Sequence, residues 1–105
     1  SALKMAYGGT TKGLIAVGTA MILGASRNGV ADDLRAEFAR SQSALLQGFS
    51  RSIPDMIPKA GRWVAEMEEI AAFLGPDTPA GRAYLAIAAF YAVLRGFFGD
   101  GAQQP

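Results

Sequence analysis

Apolar residues recur at helical spacing from Leu3 to about Ser26, and no stretch of the chain shows the strict alternation that a half-buried strand requires. The pattern restricts the chain to an all-α architecture, a helical bundle whose first helix is long. That helix would carry Gly8, Gly9, Gly13, Gly18 and Gly24, each costing about 1 kcal/mol relative to alanine. Close approach of another helix or of a ligand is the compensation expected for so many glycines. Gly9 and Gly13 also have the small-x-x-x-small spacing, which in a soluble protein marks tight helix packing.

Local signals divide the remainder. Arg27-Asn28-Gly29 supplies a cationic last turn and a left-handed stop for the first helix. Residues Ala31 to Ser41 form a second amphipathic segment, acidic in its first turn through Asp32 and Asp33, with Val30, Leu34 and Phe38 as its apolar stripe. A shorter third piece covers Ser43 to Ser50. Pro54 and Pro58 bracket the next three residues, so a helix starting near Pro54 would bend or restart at Pro58. A fourth helix is expected from about Lys59 to Leu74, ended by Gly75-Pro76, and a fifth from Pro79 to about Phe98, with Thr78 as its N-cap. The domain then spans residues 1–98, and 99–105 form a flexible tail.

Composition narrows the function classes. Half the 105 residues are apolar and 18% are charged, which supports one globular domain with a single core. Net charge is +1 with no run of basic residues, so the footprint of a nucleic-acid binder is missing. Cysteine and histidine are both absent, which removes thiol nucleophiles, disulfides and the usual metal ligands. No metal site is expected, and proton transfer must use Lys, Tyr, Asp or Glu. A cysteine-free chain fits a reducing compartment, so the cytoplasm is the expected location. The longest uncharged stretch, Gly13 to Ser26, has about 14 residues against the roughly 20 that span a bilayer, and no membrane association is expected. Helical sequence begins almost at Ser1, as expected of a domain cut from a longer chain.

Two constellations could carry chemistry. At 100° per residue Lys4, Gly8, Thr11 and Lys12 share a helix face, and the lysines lie roughly 12 Å apart along the axis. Spacing alone favours two solvated lysines, yet small residues between them leave room for a bound group, with Tyr7 beside them. In the second constellation, Lys59 to Ile70, the ordinary reading makes Trp63, Met67 and Ile70 core, with Arg62, Glu66 and Glu69 an exposed ladder of ion pairs. The functional reading places Arg62, Trp63 and Glu66 near a pocket, with Trp63 as its wall and Arg62 holding an anion. The adjacent pairs Asp32/Asp33 and Glu68/Glu69 point in different directions on a helix, so neither is an acid/base dyad. No glycine-rich turn follows a strand, so this chain would not hold a dinucleotide by itself in the usual way.

The opening Leu3-Lys4-Met5-Ala6-Tyr7-Gly8-Gly9 is similar to the start of the long helix of the C-terminal domain in the 6-phosphogluconate dehydrogenase and β-hydroxyacid dehydrogenase superfamily. More closely, SALKMAYGGTTKG together with KAGRWVAEMEEIAAFL resembles the helical C-terminal domain, a domain of unknown function, of a branch of NAD(P)-dependent oxidoreductases. The resemblance runs from Ser1 to about Leu94. It implies a 6-phosphogluconate dehydrogenase C-terminal-domain-like fold, and an N-terminal Rossmann domain, absent from this chain, that binds NAD or NADP. It also implies a homodimer interface and a pocket for a small hydroxy-acid-like or carbonyl substrate.

The family lysine falls on Lys4, implying a general base in oxidation or a general acid in reduction. That role asks for a lysine near a nicotinamide cation and out of bulk water. Gly8 stands where the family pattern usually has a substrate-holding Asn. Thr11 and Lys12 stand where decarboxylating members place a glutamate acid and a phosphate-binding tyrosine, which argues against 6-phosphogluconate as substrate. Lys12 and Thr11 become substrate anchors, with Tyr7, Arg62 and Trp63 as further pocket residues. An imine-reductase-like enzyme would share the architecture but usually replaces the lysine. The alternative from another class is a stand-alone helical dimerisation or interaction domain without catalysis.

Overall fold

The computed structural model describes residues 1–99, and they are all-α: α1 (Ala2–Arg27), α2 (Ala31–Ser41), α3 (Ser43–Met56), a 3₁₀ turn (Ile57–Lys59), α4 (Ala60–Leu74) and α5 (Pro79–Phe98). The tail expected over residues 99–105 lies outside the described residues beyond Gly99. Helix boundaries follow the local signals closely at four places. The Ser1 hydroxyl accepts the Lys4 N–H at 3.2 Å and caps α1. At the other end Gly29 takes a φ of +76° and the Asn28 amide donates to Gly24 O at 2.7 Å, satisfying an end carbonyl. Gly75, at φ +101°, ends α4, and the Thr78 hydroxyl accepts the Gly81 N–H at 3.0 Å to start α5.

One boundary differs. Helix α3 does not stop near Ser50 but runs through Pro54 to Met56, and the chain reaches α4 through the 3₁₀ turn that contains Pro58. Pro54 removes the bond that would reach Ser50 O, at a residue that is exposed. Phe49, Ile53 and Met56 meanwhile present one inward stripe, with Phe49 and Met56 buried. Packing of that stripe outweighs one missing backbone bond.

The core is centred on an antiparallel hairpin of α4 and α5. Its register shows in matched pairs: Gly61 lies against Arg95, the Trp63 and Tyr91 rings meet edge to face at 5.5 Å, and Gly81 sits against the backbone of Ala71 and Gly75. Met56, Ala60, Trp63, Met67 and Ile70 pack with Ala88, Tyr91 and Leu94, and Ala16 of α1 joins them. The ordinary reading of the Trp63, Met67 and Ile70 stripe as core therefore holds.

Helix α1 is docked by its glycines and by two tyrosines of α5. A methyl group at Gly9 would meet Ile70 at 3.1 Å, at Gly13 the Tyr84 hydroxyl at 2.5 Å, and at Gly18 the Phe49 ring at 2.5 Å. These three are the close helix approaches that the glycine content implied, whereas Gly8 and Gly24 meet nothing within 4 Å. The Tyr84 hydroxyl donates to Gly9 O at 2.8 Å and the Tyr91 hydroxyl to Lys12 O at 2.5 Å, so α5 holds α1 by its backbone.

Burial, reinforced by neighbouring Tyr84, pushes the Tyr91 phenol far above the usual tyrosine range. In the unfolded chain it would ionise near pH 10. Its contribution to stability is thus fully present below about pH 10 and is lost as the pH rises beyond that toward the folded-state value. Tyr91→Phe should flatten this alkaline loss in urea melts, while costing about 1 kcal/mol at neutral pH for the bond to Lys12 O. Equal alkaline loss in both proteins would refute the assignment.

Candidate functional site

The N-terminal half of α1 and the second half of α4 diverge to leave a groove of about 600 Å³. Lys4, Met5, Tyr7, Gly8, Thr11 and Lys12 form one wall, and Glu66, Glu69 and Ile70 the other. The helical repeat places Lys4, Gly8, Thr11 and Lys12 on this wall because they recur at three- and four-residue spacing. Gly8 is the open point of the wall, since nothing lies within 4 Å of where its side chain would begin.

Lys12 is the most constrained charge in the groove. Its ammonium pairs with the Glu66 carboxylate and lies 4.9 Å from the centroid of the Trp63 ring, a cation–π position. Its backbone carbonyl is held by Tyr91. Lys12 is therefore a positioned cation whose charge is largely answered by Glu66. Lys4 differs: it is exposed, and none of the three ion pairs among the described residues involves it. The Thr11 hydroxyl donates to Gly8 O at 3.3 Å, leaving its oxygen available to accept at the groove wall.

Of the residues singled out from sequence, the groove brings together Lys4, Tyr7, Gly8, Thr11, Lys12 and Glu66. Arg62 does not line it and is exposed on α4. Trp63 does not line it either, being buried beneath Lys12 against Tyr91. The ion-pair ladder expected on α4 is replaced by a single contact across helices, because Glu66 turns to Lys12 of α1 and neither Arg62 nor Glu69 takes part in an ion pair. Sequence reasoning passed over Glu69 as a groove residue. Its position three residues after Glu66, and one before buried Ile70, was the available signal.

The groove suits a small polar molecule: one reachable amine at Lys4, one fixed cation and two carboxylates, over an apolar floor of Met5 and Ile70. No helix among the described residues is long and apolar enough to cross a membrane. The architecture thus defines an all-α domain with a charged groove between its first helix and its central hairpin. By family it is a DUF1932 domain, a domain of unknown function whose model matches residues 25–94, and the chain belongs to that family. The match runs from the last turn of α1 through α2, α3 and α4 to Leu94 of α5 and takes in the Glu66/Glu69 wall, while Lys4 to Lys12 precede it. No curated protein and no solved structure matches the chain.

Proposed function

We propose that this chain is the C-terminal substrate-binding and dimerisation domain of an NAD(P)-dependent oxidoreductase of the 6-phosphogluconate dehydrogenase and β-hydroxyacid dehydrogenase type. Its substrate is a small hydroxy-acid-like or carbonyl compound. The observation that carries the reading is the groove itself: the lysine that the family resemblance marks as acid/base lines it with an exposed amine, beside an open glycine and a second, fixed lysine.

Lys4 is the proton carrier. In oxidation its neutral amine takes the proton of the substrate hydroxyl, and in reduction its ammonium returns one to the carbonyl oxygen. Thr11 and Lys12 anchor the polar end of the substrate, with Tyr7 at the rim. NAD(P), when bound, supplies or accepts the hydride. Among the described residues there is no strand and no glycine turn leading from a strand into a helix, so the pyrophosphate falls to an N-terminal Rossmann domain. That domain would also close over Lys4 and keep water from it. A second copy of the chain and the cytoplasm complete the reading.

The test is a titration of the native gene product with NADH and NADPH, followed by nicotinamide fluorescence. Binding of either, with oxidation of the bound NADH or NADPH on adding small 2- or 3-oxo acids, is the expected result. A native protein that binds neither nucleotide sinks the reading and leaves the stand-alone dimerisation domain.

Gly8 supplies a finer check. Because Gly8 and Gly24 meet nothing within 4 Å, alanine at either should stabilise α1 by about 0.4–1 kcal/mol in thermal melts. Only Gly8→Ala puts a methyl group into the groove, so only it should also raise the KM of the complete enzyme. Equal KM for the two variants would place the substrate elsewhere.

A further inference from the structure

The groove is lined by four charged side chains, Lys4, Lys12, Glu66 and Glu69, and the reading above gives a use to only three of them. Lys12 and Glu66 answer each other across the groove. Lys4 carries no charge in the neutral form that accepts a hydroxyl proton. Glu69 is then left as an exposed carboxylate that takes part in no ion pair among the described residues. A substrate bound for oxidation therefore meets one unanswered negative charge, and a simple hydroxy-acid anion would bring a second to it.

Contacts between the two walls fix the level at which Glu69 stands. Lys12 of α1 pairs with Glu66 of α4, and Gly9 abuts Ile70. Farther along, Met5 and Ala6 border a small cavity together with Phe73 and Leu74. The numbering falls on one helix as it rises on the other, so the walls run antiparallel. Glu69, next to Ile70, lies at the level of Gly8 and Gly9, between the Lys4 end of the groove and the Lys12 end. Gly8 is also the point where the α1 wall is open. The order along the groove is thus the proton carrier, then an open glycine with a free carboxylate at its level, then Thr11 and the fixed cation Lys12.

We propose that Glu69 is a specificity-determining residue that receives an ammonium group of the substrate, and that the substrate is a small 2-amino-3-hydroxy acid. The proposal rests on the oxidoreductase reading for the role of Lys4. The three polar groups of such a molecule follow the order of the groove: hydroxyl at Lys4, ammonium at Glu69 beside Gly8, carboxylate at Thr11 and Lys12. The ammonium answers the one negative charge left over, through a charge-assisted hydrogen bond stronger than a neutral one. In each turnover the hydride leaves the hydroxyl-bearing carbon for the nicotinamide and the hydroxyl proton passes to Lys4, so Glu69 takes no part in the chemistry and acts only in selection.

The native gene product is assayed for reduction of NAD or NADP with two matched pairs, serine against 3-hydroxypropionate and threonine against 3-hydroxybutyrate, whose members differ only in the amino group. In at least one pair kcat/KM should favour the amino member by about tenfold or more, the effect of one charged hydrogen bond. Glu69→Gln should lower kcat/KM for that member about tenfold while its partner holds or improves, whereas a merely structural role would lower both. Glu68→Gln, exposed on the same helix and outside the groove, should change neither. Preference for the amino-free acids, no turnover of the amino members, or equal loss of both in Glu69→Gln would each overturn the assignment. Nucleotide binding is read separately: a protein that binds NADH or NADPH and oxidises only the amino-free acids keeps the oxidoreductase reading and loses this one. If neither nucleotide binds, calorimetric titration of the same pairs into the wild-type and Glu69→Gln proteins decides the ammonium site by itself, and absence of an amino-selective heat that the substitution removes would overturn it.

Discussion

Replacing Lys4 by alanine is expected to lower turnover of the complete enzyme by about a hundredfold or more, the range that loss of a general acid or base spans. The side chain is exposed and takes part in no ion pair among the described residues, so its removal should leave helix content and melting temperature unchanged. The Ser1 cap uses the Lys4 backbone N–H, which alanine retains. A fall in kcat with little change in KM is the signature of a group acting in the transition state rather than in ground-state binding. Unchanged turnover would remove Lys4 from the chemistry. A rise in KM alone would make it a substrate anchor and shift the search for a proton carrier to Tyr7, Glu66 and Glu69, which line the same groove.

The largest effect on stability is expected at Gly81. A methyl group there would lie 1.9 Å from Gly75 O, 2.7 Å from the carbonyl carbon of the same residue and 3.1 Å from Ala71 O. None of these atoms can swing aside as a side chain would. Gly75 O is also pinned, accepting the Thr78 N–H at 3.0 Å and the Thr78 hydroxyl at 2.6 Å. Gly81→Ala must therefore part α4 from α5 at their tightest point, where the hairpin begins. The cost should reach about 3 kcal/mol, the upper end of overpacking effects, out of a total of about 5–15 kcal/mol for a domain. That corresponds to a melting temperature lower by about 10 °C or more. Gly61→Ala is the matched control in the same hairpin. Its methyl group would approach Arg95 Cδ at 2.6 Å, the stem of an exposed, flexible side chain that can move. Equal melting temperatures for the two variants would show that the hairpin crossing adjusts freely at Gly81.

The two experiments probe features of different legibility. The face that Lys4 shares with Gly8, Thr11 and Lys12 was legible in the residues, because that spacing is a property of any helix formed there, but spacing alone favoured solvated lysines and the acid/base role of Lys4 came from the family resemblance. The pairing of Glu66 with Lys12 across the groove was not legible. Glu66 is 54 positions from Lys12, and nothing in helical periodicity says which helix another will face. The ladder reading of α4 failed for that reason: i to i+3 and i+4 neighbours can pair, but a cross-helix partner seated over Trp63 takes Glu66 instead. The third helix was cut short in the same way, since Pro54 is a local stop signal and the burial of Phe49 and Met56 that carries α3 past it is a tertiary contact.

What the sequence determined by itself is what short-range chemistry decides: the all-α class from apolar spacing, the turns at Asn28-Gly29 and Gly75-Pro76, the Thr78 cap, and the face shared by Lys4 and Lys12. These depend on backbone preference and on residues within about one helical turn. Only the tertiary structure decided that Tyr84 and Tyr91 hold α1 by its carbonyls, that Gly9, Gly13 and Gly18 are contact points while Gly8 opens the groove, and that one side of α1 stays bare. Each of these is a choice of neighbour, made where shapes and polar groups from distant parts of the chain meet, and the free energy of that meeting belongs to neither segment alone.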